Sequence, residues 1–264
     1  LKCGRDKPGS TPATRRGFTL LELLVSIAIV GVLLSVLLPA LSRSIGAARG
    51  FRCQASLRSI AFDFSVFSDD QLHGDRGNDG PELGPRRFRL ETFQESQYGI
   101  DEFWRWDSPT SHTLPDAAKN DPMRCSEMKG PITLTNNLPC TTAIEPARNV
   151  SFGFNMRLHR AEVLLPNGQW RLNPVILTRS ALDRAGGRVP LVWDIDGRLA
   201  EQRSATPIFS APAAGSLGPY YSGDDFWFPA RRHNGAVNAA LLDGSVGTFN
   251  RSIDETTWNW SFQP

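Results

Sequence analysis

The sequence contains no Cys-x-x-Cys pair, no His-Glu-x-x-His, no Gly-x-Ser-x-Gly elbow and no Gly-x-x-x-x-Gly-Lys loop. Those absences remove the spacing signatures of structural zinc and thioredoxin-like sites, zinc proteases, serine hydrolases and phosphate-loop nucleotidases. Histidine is scarce too: His73, His112 and His159 are scattered without paired spacing, which leaves His233 as the one histidine inside a recognisable motif. The chain is therefore expected not to be an enzyme and to need no cofactor. Charge of one sign is also lacking. A formal net charge of +2, with no basic stripe interleaved with aromatics, argues against a nucleic-acid partner. Only one long hydrophobic run exists, so the chain is not a multispan membrane protein.

That one run extends from Phe18 to Leu41, and its only charge is Glu22. As a helix it would be about 36 Å long, enough to cross a bilayer. In front of it stand Lys2, Arg5, Lys7, Arg15 and Arg16 against Asp6. This excess of basic residues orients the N-terminus toward the cytoplasm and the C-terminal bulk outward. The small residue that would serve as a cleavage point, Gly17, lies before the apolar core and not after it, unlike a secretory signal. A cut between Gly17 and Phe18 would leave the apolar helix on the mature chain. Glu22 within that helix costs roughly 2.5–3.5 kcal/mol on insertion scales, so it calls for a partner or for access to interfacial water.

The run Arg16-Gly17-Phe18-Thr19-Leu20 with Glu22 closely resembles the class III leader of type IV pilins and type II secretion pseudopilins. The resemblance implies that a prepilin peptidase cuts after Gly17 and that the new amino terminus at Phe18 is methylated. It further implies that Arg15 and Arg16 set orientation and that Glu22 pairs with the Phe18 amine of a neighbouring subunit during assembly. Partners on this reading are the prepilin peptidase, the inner membrane and other pilin-like subunits. The protein would be a single-pass inner-membrane protein with an extracytoplasmic C-terminal domain, and after assembly a periplasmic or surface filament.

Four segments follow: a cleaved basic leader over 1–17, a membrane or filament-core helix over 18–41, an amphipathic continuation over 42–68, and an exported globular domain over 69–264. Leu57, Ile60, Phe64 and Phe67 form one apolar stripe on the continuation. Pro39 should bend the helix or melt a turn. From Ser68 to Pro131 Gly, Pro, Asp and Asn dominate, and loop is expected, with Phe103, Trp104 and Trp106 covering a core edge. Strands are expected over 150–155, 170–177, 189–194, 236–242, 245–249 and 257–262. One long helix followed by a run of strands gives an α+β class, the helix packed on a C-terminal antiparallel sheet, as in the pilin fold that the resemblance implies.

Cys3 leaves with the leader, so the remaining three cysteines allow one intramolecular bond. Cys125 and Cys140 flank a short polar loop in the exported part and are the expected pair. Asp194 and Asp196, in the order Trp193-Asp194-Ile195-Asp196-Gly197, carry carboxylates at the spacing of calcium loops; with Asp224 and Asp225 they are the calcium candidates.

Near the C-terminus His233, nine intervening residues and then Asp243-Gly244 resemble the signature of a prepilin-processing-associated domain found in one bacterial pseudopilin-like class. Physically, Asp243-Gly244 between two apolar runs reads as a hairpin turn. His233 and Asp243 then sit at opposite ends of one strand, up to about 33 Å apart, so a shared metal clamp or acid-base pair is not expected. The whole sequence reads as a structural pilin-like subunit. The rival reading is a membrane-anchored extracytoplasmic binding module that never polymerises.

Overall fold

The computed structural model describes residues 18–72, 83, 86–99, 121–128, 151–185, 189–203, 205, 208–211, 218–221 and 226–250, and by backbone alone 101–105, 110–114, 132–136 and 141–145. Two compact units are resolved, Leu1–Gly46 and Ala47–Pro264.

In the first unit the described chain is helix. The helix α1 runs over Leu20–Ser68 without interruption, and Pro39 lies inside it. Pro39 deprives the Ser35 carbonyl of its usual donor, yet no turn melts there, which corrects one of the two outcomes expected at that position. Every residue from Leu20 to Gly46 is exposed, including Leu20 at 81% and Val36 at 68%. A helix apolar on all sides has no core-facing stripe of its own; it needs lipid or other helices around it. Its length and composition suffice to cross a membrane.

In the second unit the same helix becomes one-sided. Cys53, Leu57, Ile60, Ala61, Phe64, Phe67 and Ser68 are buried, while Phe51 and Phe62 stay exposed. The buried positions recur every three or four residues, the period of one helical face. Phe64 meets Phe88 and Phe93 edge-on at centroid distances of 6.0 and 5.1 Å, and Phe67 meets the same two rings at 5.4 Å each. Phe93 belongs to α2, Leu90–Tyr98, which ends on Gly99 in the left-handed conformation at φ 58°.

Four strands follow α2: β1 (Asp101–Arg105), β2 (Thr110–Leu114), β3 (Ile132–Asn136) and β4 (Thr141–Glu145). β1 pairs with β4 and β2 with β3, both antiparallel. The expectation of loop from Ser68 to Pro131 is thus corrected for α2, β1 and β2. The side chains of Phe103, Trp104 and Trp106 lie outside the described residues.

The main sheet has the order β11-β10-β8-β5-β9, built from β5 (Phe152–Asn155), β8 (Pro190–Asp194), β9 (Phe209–Ser210), β10 (Val237–Leu241) and β11 (Val246–Phe249). All pairings are antiparallel except β5 with β9, which is parallel, so the sheet is mixed. Both central strands β5 and β8 are buried along their whole length, as strands covered on two faces must be. A separate hairpin joins β6 (Arg160–Leu164) to β7 (Trp170–Pro174). The described residues also hold two short α-helices, α3 (Arg179–Ala185) and α4 (Gly197–Gln202), and a 3-10 turn over Met156–Leu158. The architecture is α+β, a long N-terminal helix followed by a sheet domain. The expected strand over 257–262 falls outside the described residues.

Candidate functional site

Two places in the chain gather chemistry. At the start of α1, Phe18 is 75% exposed, and Thr19 acts as the helix cap. The Thr19 amide and hydroxyl donate to Glu22 Oε2 at 2.8 and 2.9 Å, while the Glu22 amide donates back to Thr19 Oγ1 at 3.2 Å. This is a reciprocal capping box, in which each side chain satisfies the other's free helix-end amide. In a single chain Glu22 therefore already has a partner, Thr19. The signal was in the sequence, because Thr-x-x-Glu before an apolar run is the pattern of that box. Gly17, Arg15 and Arg16 lie outside the described residues.

The second place is a buried polar knot beneath the sheet end. Its centre is His233, held by the turn that enters β10. Asn234 and Gly235 both take positive φ, 54° and 83°, and the Ala236 amide donates to the His233 carbonyl at 3.0 Å. Two successive left-handed residues closed by that bond make a type I′ turn, and Asn-Gly is its preferred pair. The turn aims the imidazole inward. His233 Nε2 lies 3.4 Å from Asp194 Oδ2 and 3.5 Å from Cys125 Sγ, and Nδ1 lies 3.7 Å from Glu127 Oε2. On its open side the ring faces Gly50 of α1, where an added Cβ would sit 3.5 Å from Nδ1, at ordinary contact distance.

Asp194 ends β8 and is fully buried. Its Oδ2 accepts from the Asn238 amide at 3.0 Å, and Arg232 approaches its Oδ1 at 3.9 Å. Burial pushes the Asp194 carboxyl up to about 7, against the pull of Arg232 and of the Asn238 hydrogen bonds. The same burial holds both Arg232 and His233 below their ordinary values, although Asp194 opposes the first shift and Glu127 the second. Arg232 is tied further by donating to the Ser151 and Ile195 carbonyls, so it clamps β5 against the end of β8. Gln54 of α1 donates to Asn238 Oδ1 at 3.4 Å and to Thr248 Oγ1 at 2.7 Å, extending the network from helix to sheet.

A disulfide in this knot joins Cys53 to Cys125, with Cα atoms 5.2 Å apart. The expected Cys125–Cys140 pairing is thereby corrected, and Cys140 itself lies outside the described residues. Cys53 sits on the buried stripe of α1, four residues before Leu57, so the fold carries it to the loop that holds Cys125. Nearness in sequence was the wrong guide.

Residues 13–38 match the prokaryotic N-terminal methylation motif. The motif marks a type IV pilin-like precursor and implies processing by a prepilin peptidase and association with a membrane. It also points to a structural subunit and away from catalysis. The match ends in the exposed half of α1 and does not reach the C-terminal His233 and Asp243-Gly244 signature. No curated relative and no solved structure matches the chain.

The remaining site residues separate. Asp243 and Gly244 form the turn between β10 and β11, where Gly244 has φ 82° and Asp243 Oδ1 accepts from the Ser245 amide and hydroxyl at 2.9 and 2.6 Å. His233 and Asp243 flank opposite ends of β10, so the two halves of that signature do not build one site. Asp196 Oδ1 accepts from the Arg198 amide at 3.0 Å at the start of α4, while Asp194 faces the knot. The two carboxylates proposed for calcium thus have different neighbours, and Asp224 and Asp225 lie outside the described residues. The metal-ligating types that do converge among the described residues are Cys53, Cys125 and His233, with ligand atoms all within 4.8 Å of one another.

Proposed function

We propose that this chain is a structural pilin-like or pseudopilin subunit. Prepilin peptidase cuts it after Gly17, Phe18 becomes the N-methylated mature terminus, and the subunit assembles through its N-terminal helix in a type II secretion or type IV pilus-like system. Before assembly it spans the inner membrane once, with the sheet domain on the extracytoplasmic side. The observation that carries this reading is the continuity of two features: the methylation motif over 13–38 runs directly into a helix whose residues 20–46 are exposed throughout. Such a surface is costly in water at about 25 cal/mol per Å² of apolar area, and either a bilayer or a bundle of sister helices removes that cost. Glu22 adds the register: on assembly its carboxylate exchanges or shares the Thr19 capping bonds for the amine of a neighbouring Phe18.

The test combines crosslinking with one substitution. A photo-crosslinking residue at Leu33 should trap helix-to-helix adducts between copies or with other pilin-like subunits. Glu22→Ala should leave membrane insertion and cleavage intact while those adducts and sheared filaments disappear. Adducts to lipid alone, with Glu22→Ala behaving as the parent, would favour the non-polymerising anchored module instead.

A further inference from the structure

The knot around His233 has the shape of a closed metal site as well as that of a disulfide. Three elements bring ligand atoms within 4.8 Å of one another, Cys53 from α1, Cys125 from the 121–128 loop and His233 from the turn before β10, and Asp194 at the end of β8 adds a carboxylate oxygen 3.4 Å from His233 Nε2. In tetrahedral zinc sites the bonds are about 2.3 Å to sulfur, 2.0–2.1 Å to imidazole nitrogen and 2.0–2.2 Å to carboxylate oxygen. Those lengths require an S···N edge of about 3.5 Å and an N···O edge of about 3.3–3.5 Å. Here Cys125 Sγ and His233 Nε2 are 3.5 Å apart, and His233 Nε2 and Asp194 Oδ2 are 3.4 Å apart. Two edges of the tetrahedron are already set.

The outer groups fit as well. With Nε2 turned to a metal, Nδ1 lies 3.7 Å from Glu127 Oε2 with no hydrogen bond of its own, so a shift of less than about 1 Å would give it the carboxylate that commonly backs a zinc-bound imidazole. Asp194 Oδ2 is oriented by the Asn238 amide. Two thiolates and one carboxylate around Zn²⁺ leave one negative charge, which Arg232 beside Asp194 offsets, so that only the partly exposed Glu127 carboxylate is left unbalanced. Cys53, Cys125 and Asp194 are at most 1% exposed and the His233 side chain is 8% exposed, so the site would be structural. The soft sulfur pair selects zinc over calcium or magnesium.

We propose that reduced Cys53 and Cys125, together with His233 and Asp194, form a zinc site that replaces the disulfide. A dithiol reductant delivers two electrons and two protons to the Cys53–Cys125 bond and leaves as its own disulfide. Zn²⁺ then displaces the two thiol protons to solvent and takes the lone pair of neutral His233 Nε2 and one Asp194 oxygen. The two sulfurs separate to about 3.8 Å, the edge that two zinc–sulfur bonds dictate. Either bond, covalent or metal, fastens the same face of α1 to the sheet domain. The chain has no Cys-x-x-Cys spacing because the fold, and not the sequence, assembles the ligands. The site does not depend on filament assembly, so unassembled protein gives the same answer.

The experiment uses the full chain in detergent, reduced by a phosphine that does not bind metals, and titrates Co²⁺ followed by Zn²⁺. One equivalent of Co²⁺ should bind with a thiolate-to-cobalt charge-transfer band and the intense visible bands of a tetrahedral ion, and one equivalent of Zn²⁺ should displace it. The oxidised chain should take up none. His233→Ala should weaken zinc by about a hundredfold or more, and Cys125→Ser should remove part of the charge-transfer band. Circular dichroism on each variant separates a lost ligand from a lost fold. Reduced protein that takes up no cobalt, folded or not, overturns the proposal, as does an octahedral spectrum or a folded His233→Ala chain that binds as tightly as the parent.

Discussion

Replacing Cys53 and Cys125 together by Ala removes a crosslink that closes a long loop. The two cysteines are 72 positions apart in sequence, and restoring the freedom of a loop that size to the unfolded chain is worth ~4 kcal/mol by the chain-entropy relation. Both sulfurs are buried, and their polar neighbours, Ser126 Oγ at 3.6 Å from Cys53 Sγ and His233 Nε2 at 3.5 Å from Cys125 Sγ, keep other partners in the Arg49 carbonyl and Asp194, so the chain-entropy contribution should dominate. A domain stable by about 5–15 kcal/mol would lose a large part of its margin yet remain folded. The assay is urea unfolding of the detergent-solubilised full chain, followed by the fluorescence of its tryptophans with a chelator present so that no metal substitutes for the bond. The midpoint should fall sharply and the slope should rise, because the uncrosslinked unfolded chain exposes more surface. Non-reducing peptide mapping of the parent should show the Cys53 peptide joined to the Cys125 peptide. A parent that carries this crosslink and a double variant that loses less than about 1 kcal/mol would refute the reasoning.

Phe64→Ala should cost about 3–5 kcal/mol, because the ring is fully buried against the edges of Phe88 and Phe93 and its loss leaves a cavity; an unchanged urea midpoint would show that this face of α1 does not pack as described. His159 predicts acid sensitivity. It stacks on Phe209 at 4.2 Å, faces Glu91 at 3.1 Å through Nδ1, and accepts from Arg160 Nε through Nε2 at 3.1 Å. Burial first, and then Arg160 and Arg89, lower its pKa from 6.5 to about 3. Below 6.5 the unfolded chain takes up a proton that the folded chain refuses until about pH 3. The His159 contribution is therefore fully present above that range and is lost as pH drops through it, by up to about 1.4 kcal/mol per pH unit. Asp194, its carboxyl raised to about 7, works in the opposite direction, so the comparison of variant with parent isolates His159. His159→Phe should flatten this part of the pH profile, and a variant whose stability falls as steeply as the parent's between pH 6 and about 4 would assign the acid sensitivity elsewhere.

Much of the helix was legible because its cause is local. An unbroken apolar run and the stripe Leu57, Ile60, Phe64 and Phe67 each encode a helical face directly, and the structure buries all four stripe residues. The strands β5, β8, β10 and β11 were visible within a residue or two, since apolar runs bounded by Gly, Pro and Asp carry them. β1 and β2 were hidden because frequent turn residues around them masked five-residue strands, and β6 because its side chains are only half-buried. The parallel partner β9 is two residues long and pairs with β5 across more than fifty positions, which no local period records. At the candidate site, the Asp243-Gly244 turn followed from composition. The knot did not. Cys53, Cys125, Asp194 and His233 come from four elements, and the spacing rules that search for metal ligands or disulfides see only neighbours in sequence.

The measurement that bears most directly on the central claim is the identity of the mature N-terminus, by intact mass and terminal peptide mapping of protein recovered from cells with an active prepilin peptidase. A chain that begins at N-methylated Phe18 is the predicted result. A chain recovered from those cells with Gly17 still joined to an unmodified Phe18 would contradict it.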